Sequence, residues 1–336
     1  LTCPEQVASA MEGCDVVVHC AYGASGMPVE NRQVTVDGTR ILADAAVAQG
    51  VRRFIHISSV AVYSYTPPPN VTESTPLVQS RDEYCRDKVE AENIIWEQVH
   101  RRGLPGVVLR MGNIYGPFSG PWTIRPLQHI RDGIVCLVDE GSHDGNMVFV
   151  DNAVEAILLA IREDCAVGQA FFITDDPVNW QDFYGYYARW LGESKLSSIP
   201  QKIVDQYVHP TWGARLMSTC RASWAEVLLP TVRFGLLQAV LSPSLGKWVS
   251  KMAAPFSSEF KARLLGKQAN IMQDQEQPAP MCLPLPLPQP GLLEVYAGRT
   301  RFSNDKAKEI LGFGPHCPLE EAMSITEQWA RWARLI

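Results

Sequence analysis

The chain has 336 residues, 46 % of them hydrophobic, enough to bury a sizeable core as one large α/β domain with an appended region or as two domains. Its net charge of −6 excludes the basic field that grips a nucleic-acid backbone and the polybasic patch that holds a protein on an anionic membrane. The 9 cysteines are scattered singly with no CxxC pair, so free thiols in a reducing, cytoplasmic setting are expected rather than a disulfide framework, and no metal centre is expected.

The first residues, "LTCPEQVASAMEG", lack the basic start and apolar run of a signal peptide and read as a short helix ending at Gly13. "DVVVHCA", residues 15–21, is a β-branched run without polar alternation, as in a parallel strand buried on both faces. "VTVDGTRILADAAVAQG" reads as a helix closed by Gly50, and "RFIHISS" as a second buried strand. "DEYCRDKVEAENIIWEQVHRRG" is a long helix closed by Gly103, and "GVVLRMGNIYGP" a third strand running into a loop. The order β-α-β-α-β predicts an α/β fold, a doubly wound parallel sheet with helices on both faces.

Further on, "GIVCLVDEG" and "GQAFFITDD" read as strands, and "DNAVEAILLAIRED" and "WQDFYGYYARWLG" as helices. From about 195 to 290 the periodicity weakens. Within it, "VLLPTVRFGLLQAVL", residues 227–241, is broken by Pro230 and Arg233 and falls short of a membrane span. It suits a pocket wall or core, with peripheral membrane contact as the alternative. "PAPMCLPLPLPQPG" is too proline-rich for regular helix or central strand and reads as an extended connector or lid edge. Helical patterns return at "NDKAKEILGFGP" and "LEEAMSITEQWARWARLI", and no internal repeat is found.

Ligands of a parallel α/β sheet sit at the carboxyl ends of its strands. Here those ends carry Cys20, Ala21 and Tyr22, then Ser58 and Ser59, then Gly112 and Asn113. Tyr84 and Lys88 stand at i and i+4 on the following helix and share a face. An ammonium beside a phenol favours the phenolate; bringing a tyrosine from about 10 to about 7 takes roughly 4 kcal/mol. A strand-end serine hydroxyl could fix a substrate oxygen beside them, making an acid/base site. Taken alone, a Tyr-x-x-x-Lys spacing is more often an ordinary surface pair.

The ordered set "DVVVHCA", "TVDGT", "FIHISSVAVY", "YCRDK", "LRMGNIYGP" and "FVDNAVEAI" resembles the extended short-chain dehydrogenase/reductase family, which includes the NAD-dependent epimerases and dehydratases and the 3β-hydroxysteroid dehydrogenase-like enzymes. The resemblance covers about residues 1–192 and returns at "RFSNDKAKEILGFGP". It implies a Rossmann-like fold, an NAD or NADP cofactor and a small-molecule substrate. By position, it implies Tyr84 as catalytic acid/base and Lys88 as the residue that holds the nicotinamide ribose and lowers the tyrosine pKa. It implies Ser59 as the hydrogen-bond partner of the substrate oxygen. Cys20, Ala21, Tyr22, Thr35 and Ser58 would line the cofactor, and Asn113 would contact substrate.

Departures from the family pattern are also legible. Thr35 stands where asparagine is usual and has a shorter reach, and Met111 replaces a proline. Val60 and Ala61 follow Ser59 where sugar 4,6-dehydratases carry an Asp-Glu pair, which argues against water elimination. Only 14 residues precede the first strand and they hold no glycine-rich phosphate turn, so the chain is expected to start inside a longer, N-terminally truncated Rossmann-like domain. An apolar strand would then be a bare sheet edge, and weak dinucleotide binding and association, including a homodimer, are expected.

The other candidates read as ordinary. His19 and His56 are expected as satisfied core histidines; His129 and His143 lack metal-ligand spacing. Trp180, Tyr184, Tyr186, Tyr187 and Trp190 form an aromatic helix face that suits core packing. Arg125, Arg299 and Arg301 suit either a substrate phosphate or solvent. The expected layout is a partial dinucleotide-binding domain over 1–118, with 145–192 returning to it, and a smaller, mostly helical substrate-binding lid over 119–144 and 193–336. The expected activity is NAD(P)-dependent oxidation and reduction of a secondary alcohol and ketone. The long apolar segment with Trp212, Trp224, Phe234, Leu236, Leu237 and Trp248 favours a sterol-like substrate. A nucleotide-sugar epimerase is the alternative, and a non-catalytic dinucleotide sensor or inactive fragment the second.

Overall fold

Four β-branched or apolar runs form one parallel sheet in a computed structural model that describes residues 1–208 and 286–336. The strands are β1 (Val16–His19), β2 (Arg53–Ser59), β3 (Gly106–Met111) and β7 (Ala170–Ile173), in the order β1-β2-β3-β7. Residues 227–241, the proline-rich stretch up to 285, and Trp212, Trp224, Phe234, Leu236, Leu237 and Trp248 lie outside the described residues.

Helices connect the strands on both faces. Helix α1 (Pro4–Met11) precedes β1. Helix α2 (Pro28–Arg32) runs through a π-type turn, Gln33–Asp37, into α3 (Gly38–Gln49), so this helical stretch begins earlier than its sequence pattern suggests. Helix α4 (Glu83–Arg102) is capped by Asp82, whose carboxylate accepts from the Cys85 backbone N–H, and ends at Gly103 with φ +69°. The remaining helices are α5 (Arg125–Arg131), α6 (Val150–Arg162), α7 (Trp180–Leu191), α8 (Gln201–Val208), α9 (Pro290–Ala297), α10 (Asp305–Leu311) and α11 (Leu319–Trp332).

The pleat divides the strand side chains between two layers. Phe54 and Val108 pack with Ala43 and Ala46 of α3 and Ile95 of α4. Ile55, Val107, Leu109 and Met111 pack with the Ala153, Ala156 and Ala160 stripe of α6 and with Ala307 and Leu311 of α10. A separate core joins Trp180, Phe183, Tyr184 and Tyr187 of α7 to Leu293 and Tyr296 of α9 and Ala322 of α11. The aromatic face of α7 is therefore core packing.

Several expectations need correction. Strand β1 is a sheet edge, as expected, but it is not buried on both faces, since Val18 is 39 % exposed. The third strand does not run on unbroken: the chain leaves the sheet at Gly112, and β4 (Asn113–Tyr115) pairs instead with β6 (Met147–Phe149). The strand expected in "GIVCLVDEG" shrinks to β5 (Leu137–Val138), paired with β8 (Ser198–Ile199). The end of the proline-rich stretch is helical, because Pro290 sits at the start of α9, where its missing N–H costs no hydrogen bond. His56 is buried, yet neither ring nitrogen has a hydrogen-bond partner among the described residues, so it is not a satisfied core histidine.

Candidate active site

A cleft of about 870 Å³ opens where β1, β2 and β3 end. Cys20 and Tyr22 line it after β1, Ser58 and Ser59 at the end of β2, and Gly112 and Asn113 after β3. Tyr84 and Lys88 enter from the first turns of α4. The catalytic trio implied by the sequence, Ser59, Tyr84 and Lys88, thus shares one cleft.

Local structure places each group. Lys88 is 5 % exposed and its Nζ donates to the Ile57 carbonyl at 3.0 Å, which ties α4 to the end of β2. The same Nζ lies 5.7 Å from the centre of the Tyr22 ring. The Tyr84 ring meets Tyr22 edge-on at 6.1 Å. Ser59 Oγ accepts from the Ala61 backbone N–H at 3.2 Å, and the Ser59 side chain favours ionisation of the Tyr84 phenol. Asn113 Nδ2 donates to the Gly145 carbonyl at 2.7 Å, so its amide nitrogen braces the cleft wall.

Two of the implied residues do not line the cleft. Thr35 is buried and its Oγ1 accepts from the Gly23 backbone N–H at 2.9 Å, so it holds the loop after β1 in place. Ala21 is exposed in that same loop. Ser58 lines the cleft, but its hydroxyl turns away and donates to Glu92 Oε2 at 2.7 Å.

Burial dominates the electrostatics. Tyr84 keeps 39 % of its surface accessible, and that surface belongs to the cleft wall. Desolvation of the phenolate pushes its pKa up to about 12, against an opposing hydrogen bond from Ser59. Burial of the phenolate is thus the largest influence on Tyr84 in the unliganded chain. Lys88 is pushed down to about 8 by burial, with Cys20 and Glu92 pulling it back up. His19, whose Nε2 is 2.7 Å from Thr39 Oγ1, is lowered to about 4 by burial and by Lys88.

The cleft also holds Tyr65, Asp82 and Trp122, which sequence reasoning passed over, beside Trp180 and Arg125, which it named. Tyr65 donates to Asp82 Oδ1 at 3.3 Å, and both line the cleft beside Tyr84. Trp122 and Trp180 form a wall, with ring centres 5.5 Å apart. Arg125 lines the same cleft, whereas Arg299 and Arg301 pair with Asp139 at 3.7 Å and Asp144 at 3.9 Å. No spacing rule links Tyr65 or Trp122 to Tyr84; their signal was only their place in the loops that follow β2 and β4.

Comparison with known proteins bears on the family and the fold. A model described as the NAD dependent epimerase/dehydratase family matches residues 1–173. The chain is 30 % identical over 217 residues to 3beta-hydroxysteroid-dehydrogenase/decarboxylase isoform 1 of Arabidopsis thaliana, covering 59 % of this chain and 49 % of that protein. It is 32 % identical over 163 residues to dTDP-D-glucose 4,6-dehydratase of Mus musculus, covering 46 % of this chain and 45 % of that one. The chain thus spans about half the length of these curated relatives. Among solved structures, a dTDP-glucose 4,6-dehydratase from Streptomyces venezuelae with NAD and TYD bound superposes with a TM-score of 0.63 at 17 % identity, covering 99 % of this chain and 78 % of that one. A UDP-glucose 4-epimerase from Thermotoga maritima with UDP-glucose gives 0.60 at 18 % identity, covering 99 % and 83 %. At these identities the superpositions show a shared Rossmann-like fold.

Proposed function

The chain belongs to the NAD dependent epimerase/dehydratase family, and we propose that it interconverts a secondary alcohol and a ketone, with Tyr84 as the proton-transfer group, Ser59 holding the substrate oxygen and Lys88 beside them. The observation that carries this reading is the meeting of these three side chains in one cleft at the carboxyl ends of a parallel sheet.

The donor set suits a dinucleotide. Among the described residues Lys88 Nζ makes a single hydrogen bond, to Ile57, which leaves N–H bonds for ribose hydroxyls. Cys20, Tyr22 and Ser58 supply the neighbouring wall. Bound there, NAD or NADP supplies a nicotinamide that accepts or returns hydride. The phenol of Tyr84 is a proton donor as it stands, which is the role needed when a ketone is reduced. Acting as a base requires an added positive charge nearby to stabilise its phenolate.

The substrate class we favour is an apolar, sterol-like alcohol. Val60, Ala61, Trp122, Trp180, Leu292 and Phe302 line the cleft beyond the trio. Val60 and Ala61 place no acid next to Ser59, so water elimination is not proposed. Residues 119–144, 193–208 and 286–336 would form the substrate side, and residues 1–118 with 145–192 the cofactor side. A nucleotide sugar is the second reading, favoured by Arg125, whose guanidinium suits a phosphate.

The test follows nicotinamide absorbance with NAD and with NADP on two panels, sterol alcohols and ketones against UDP- and dTDP-sugars. Turnover of sterols is expected. Turnover of sugars alone would overturn the substrate class, and undiminished turnover by Tyr84→Phe would overturn the mechanism.

A further inference from the structure

We propose that Glu92 is a positioning residue for the Tyr84–Lys88 pair: its buried carboxylate, clamped by Arg110, serves as the through-space counter-ion that keeps Lys88 an ammonium at the floor of the cleft. The inference rests on the functional reading above, in which Tyr84 and Lys88 form the proton-transfer pair.

Helix α4 sets the alignment. Tyr84, Lys88 and Glu92 recur every four residues and lie along one side of it. Glu92 is 0 % exposed. A carboxylate there survives only if its oxygens are saturated with donors. They are: Ser58 Oγ at 2.7 Å, Trp96 Nε1 at 3.1 Å, Arg110 Nε at 3.1 and 3.2 Å to the two oxygens, and Arg110 Nη2 at 2.5 Å. The guanidinium is itself pinned by the Glu73 carbonyl at 2.9 Å and by the Tyr63 hydroxyl.

The charges around Lys88 leave Glu92 as its anion. From β1 and the loop after it, His19, Cys20 and Tyr22 face the ammonium; from β2 come His56 and the Ile57 carbonyl; from α4 come Tyr84 and Glu92. Burial holds His19 and His56 neutral, so neither repels Lys88. Burial also raises the Cys20 thiol, so whatever charge it lends Lys88 comes at higher pH. The Tyr84 phenol is likewise neutral. Of these groups, Glu92 is the only carboxylate, and it is ion-paired with Arg110.

Arg110 explains why the carboxylate does not simply seize the lysine. Held by the guanidinium, it makes no direct ion pair with Lys88 among the described residues. The ammonium therefore keeps its bond to Ile57 and its remaining N–H groups for the cleft. Glu92 also anchors Ser58, which lies between Ile57 and Ser59, so one carboxylate orients both ends of the site.

The test reads Lys88 directly, without substrate or cofactor. Protein labelled with 13C-lysine is titrated by NMR, with the Lys88 signal assigned from Lys88→Arg. In the unaltered chain a midpoint above about pH 7 is expected, and one below about pH 6 would overturn the proposal. Glu92→Gln should lower the midpoint by about one unit, roughly tenfold in the ionisation constant, while Glu92→Asp, which keeps the charge, should restore most of it. Because Glu92→Gln leaves Arg110 buried and unpaired, Glu92→Gln/Arg110→Gln removes both charges as a second arm, and a downward shift smaller than that of Glu92→Gln alone is expected, since a repelling cation goes with the anion. A midpoint unmoved in the folded variants would overturn the proposal while leaving the Tyr84 mechanism intact. Conversely, full turnover by Tyr84→Phe would overturn the mechanism and leave the Lys88 titration untouched.

Discussion

Ser58 and Ser59 are neighbours on β2, yet the Ser58 hydroxyl donates to buried Glu92 at 2.7 Å while the Ser59 hydroxyl meets the Tyr84 phenol in the cleft. The pleat gives adjacent residues opposite faces, so two identical side chains take different tasks. Their alanine variants should separate cleanly. Ser59→Ala should slow turnover by about 10²-fold, since it removes a donor to the reacting oxygen, with a stability loss of only about 0.5–1 kcal/mol from the Ala61 cap bond. Ser58→Ala should destabilise the fold by about 1–3 kcal/mol, since it strips a hydrogen bond from a buried carboxylate. Steady-state rates and urea melts of both proteins decide it. Equal effects of the two on rate would contradict the division.

Tyr84 lines the cleft with 39 % of its surface accessible, so losing its hydroxyl opens no core cavity. Tyr84→Phe should keep the melting temperature and lose about 10²- to 10⁴-fold in turnover, the usual share of a general acid or base. In the unliganded chain an ultraviolet difference titration of wild type minus Tyr84→Phe should show one phenol ionising near pH 12, because burial raises it to about 12. A phenol ionising near its ordinary value instead would mean that the hydroxyl is solvated and not enclosed by the cleft.

Much of this arrangement was legible in the residues. The apolar run "RFIHISS" became β2 with the same bounds, and α4 begins and ends at its acidic cap and its glycine. Tyr84 and Lys88 share a helix face because spacing alone dictates it. What spacing could not carry was non-local. Arg110 pairs with Glu92 across a strand and a helix, and neither residue type announces burial. The apolar pattern is continuous through Gly112, so the change of sheet there is invisible without knowing that Asn146 lies against it. Counting charges also omits desolvation, which raises the Tyr84 phenol in the unliganded chain and depends on the walls of the cleft.

His19 makes the fold sensitive to acid. It is 2 % exposed, bonded to Thr39 and stacked near His56 with ring centres 5.3 Å apart. Its folded pKa falls to about 4, first by burial and then by Lys88. The unfolded chain protonates near 6.5, so between those values the unfolded state binds the extra proton. The stabilisation is fully present above about pH 6.5 and is lost progressively as pH falls toward 4, about 3 kcal/mol in all. His56, lowered in the same direction, adds to the loss. Urea midpoints at pH 7.5 and 4.5 should differ accordingly, and His19→Gln should narrow the gap. An identical gap in the variant would show that acid acts elsewhere.

Gly112 is where the chain leaves the main sheet and enters the cleft wall. Its N–H donates to the Ile173 carbonyl at 2.9 Å, and the next residue, Asn113, donates to the Asn146 carbonyl at 2.8 Å. A Cβ at Gly112 would stand 2.3 Å from that same carbonyl oxygen and 3.0 Å from Thr174 Cγ2. Asn146 cannot retreat freely. Its N–H is held by Asp144 at 2.7 Å, its Nδ2 by the Thr300 carbonyl at 2.9 Å and its Oδ1 by the Phe302 N–H at 2.9 Å. Gly112→Ala must therefore displace backbone on both sides, at a cost of about 2–4 kcal/mol, comparable to overpacking a core. Because Asn113 and Asn146 line the cleft, turnover should fall with stability. Gly120→Ala, where an added Cβ meets nothing within 4 Å, is the control and should change stability by less than about 0.5 kcal/mol. If the two variants melt alike, the close approach at the strand exit is not what restricts position 112 to glycine.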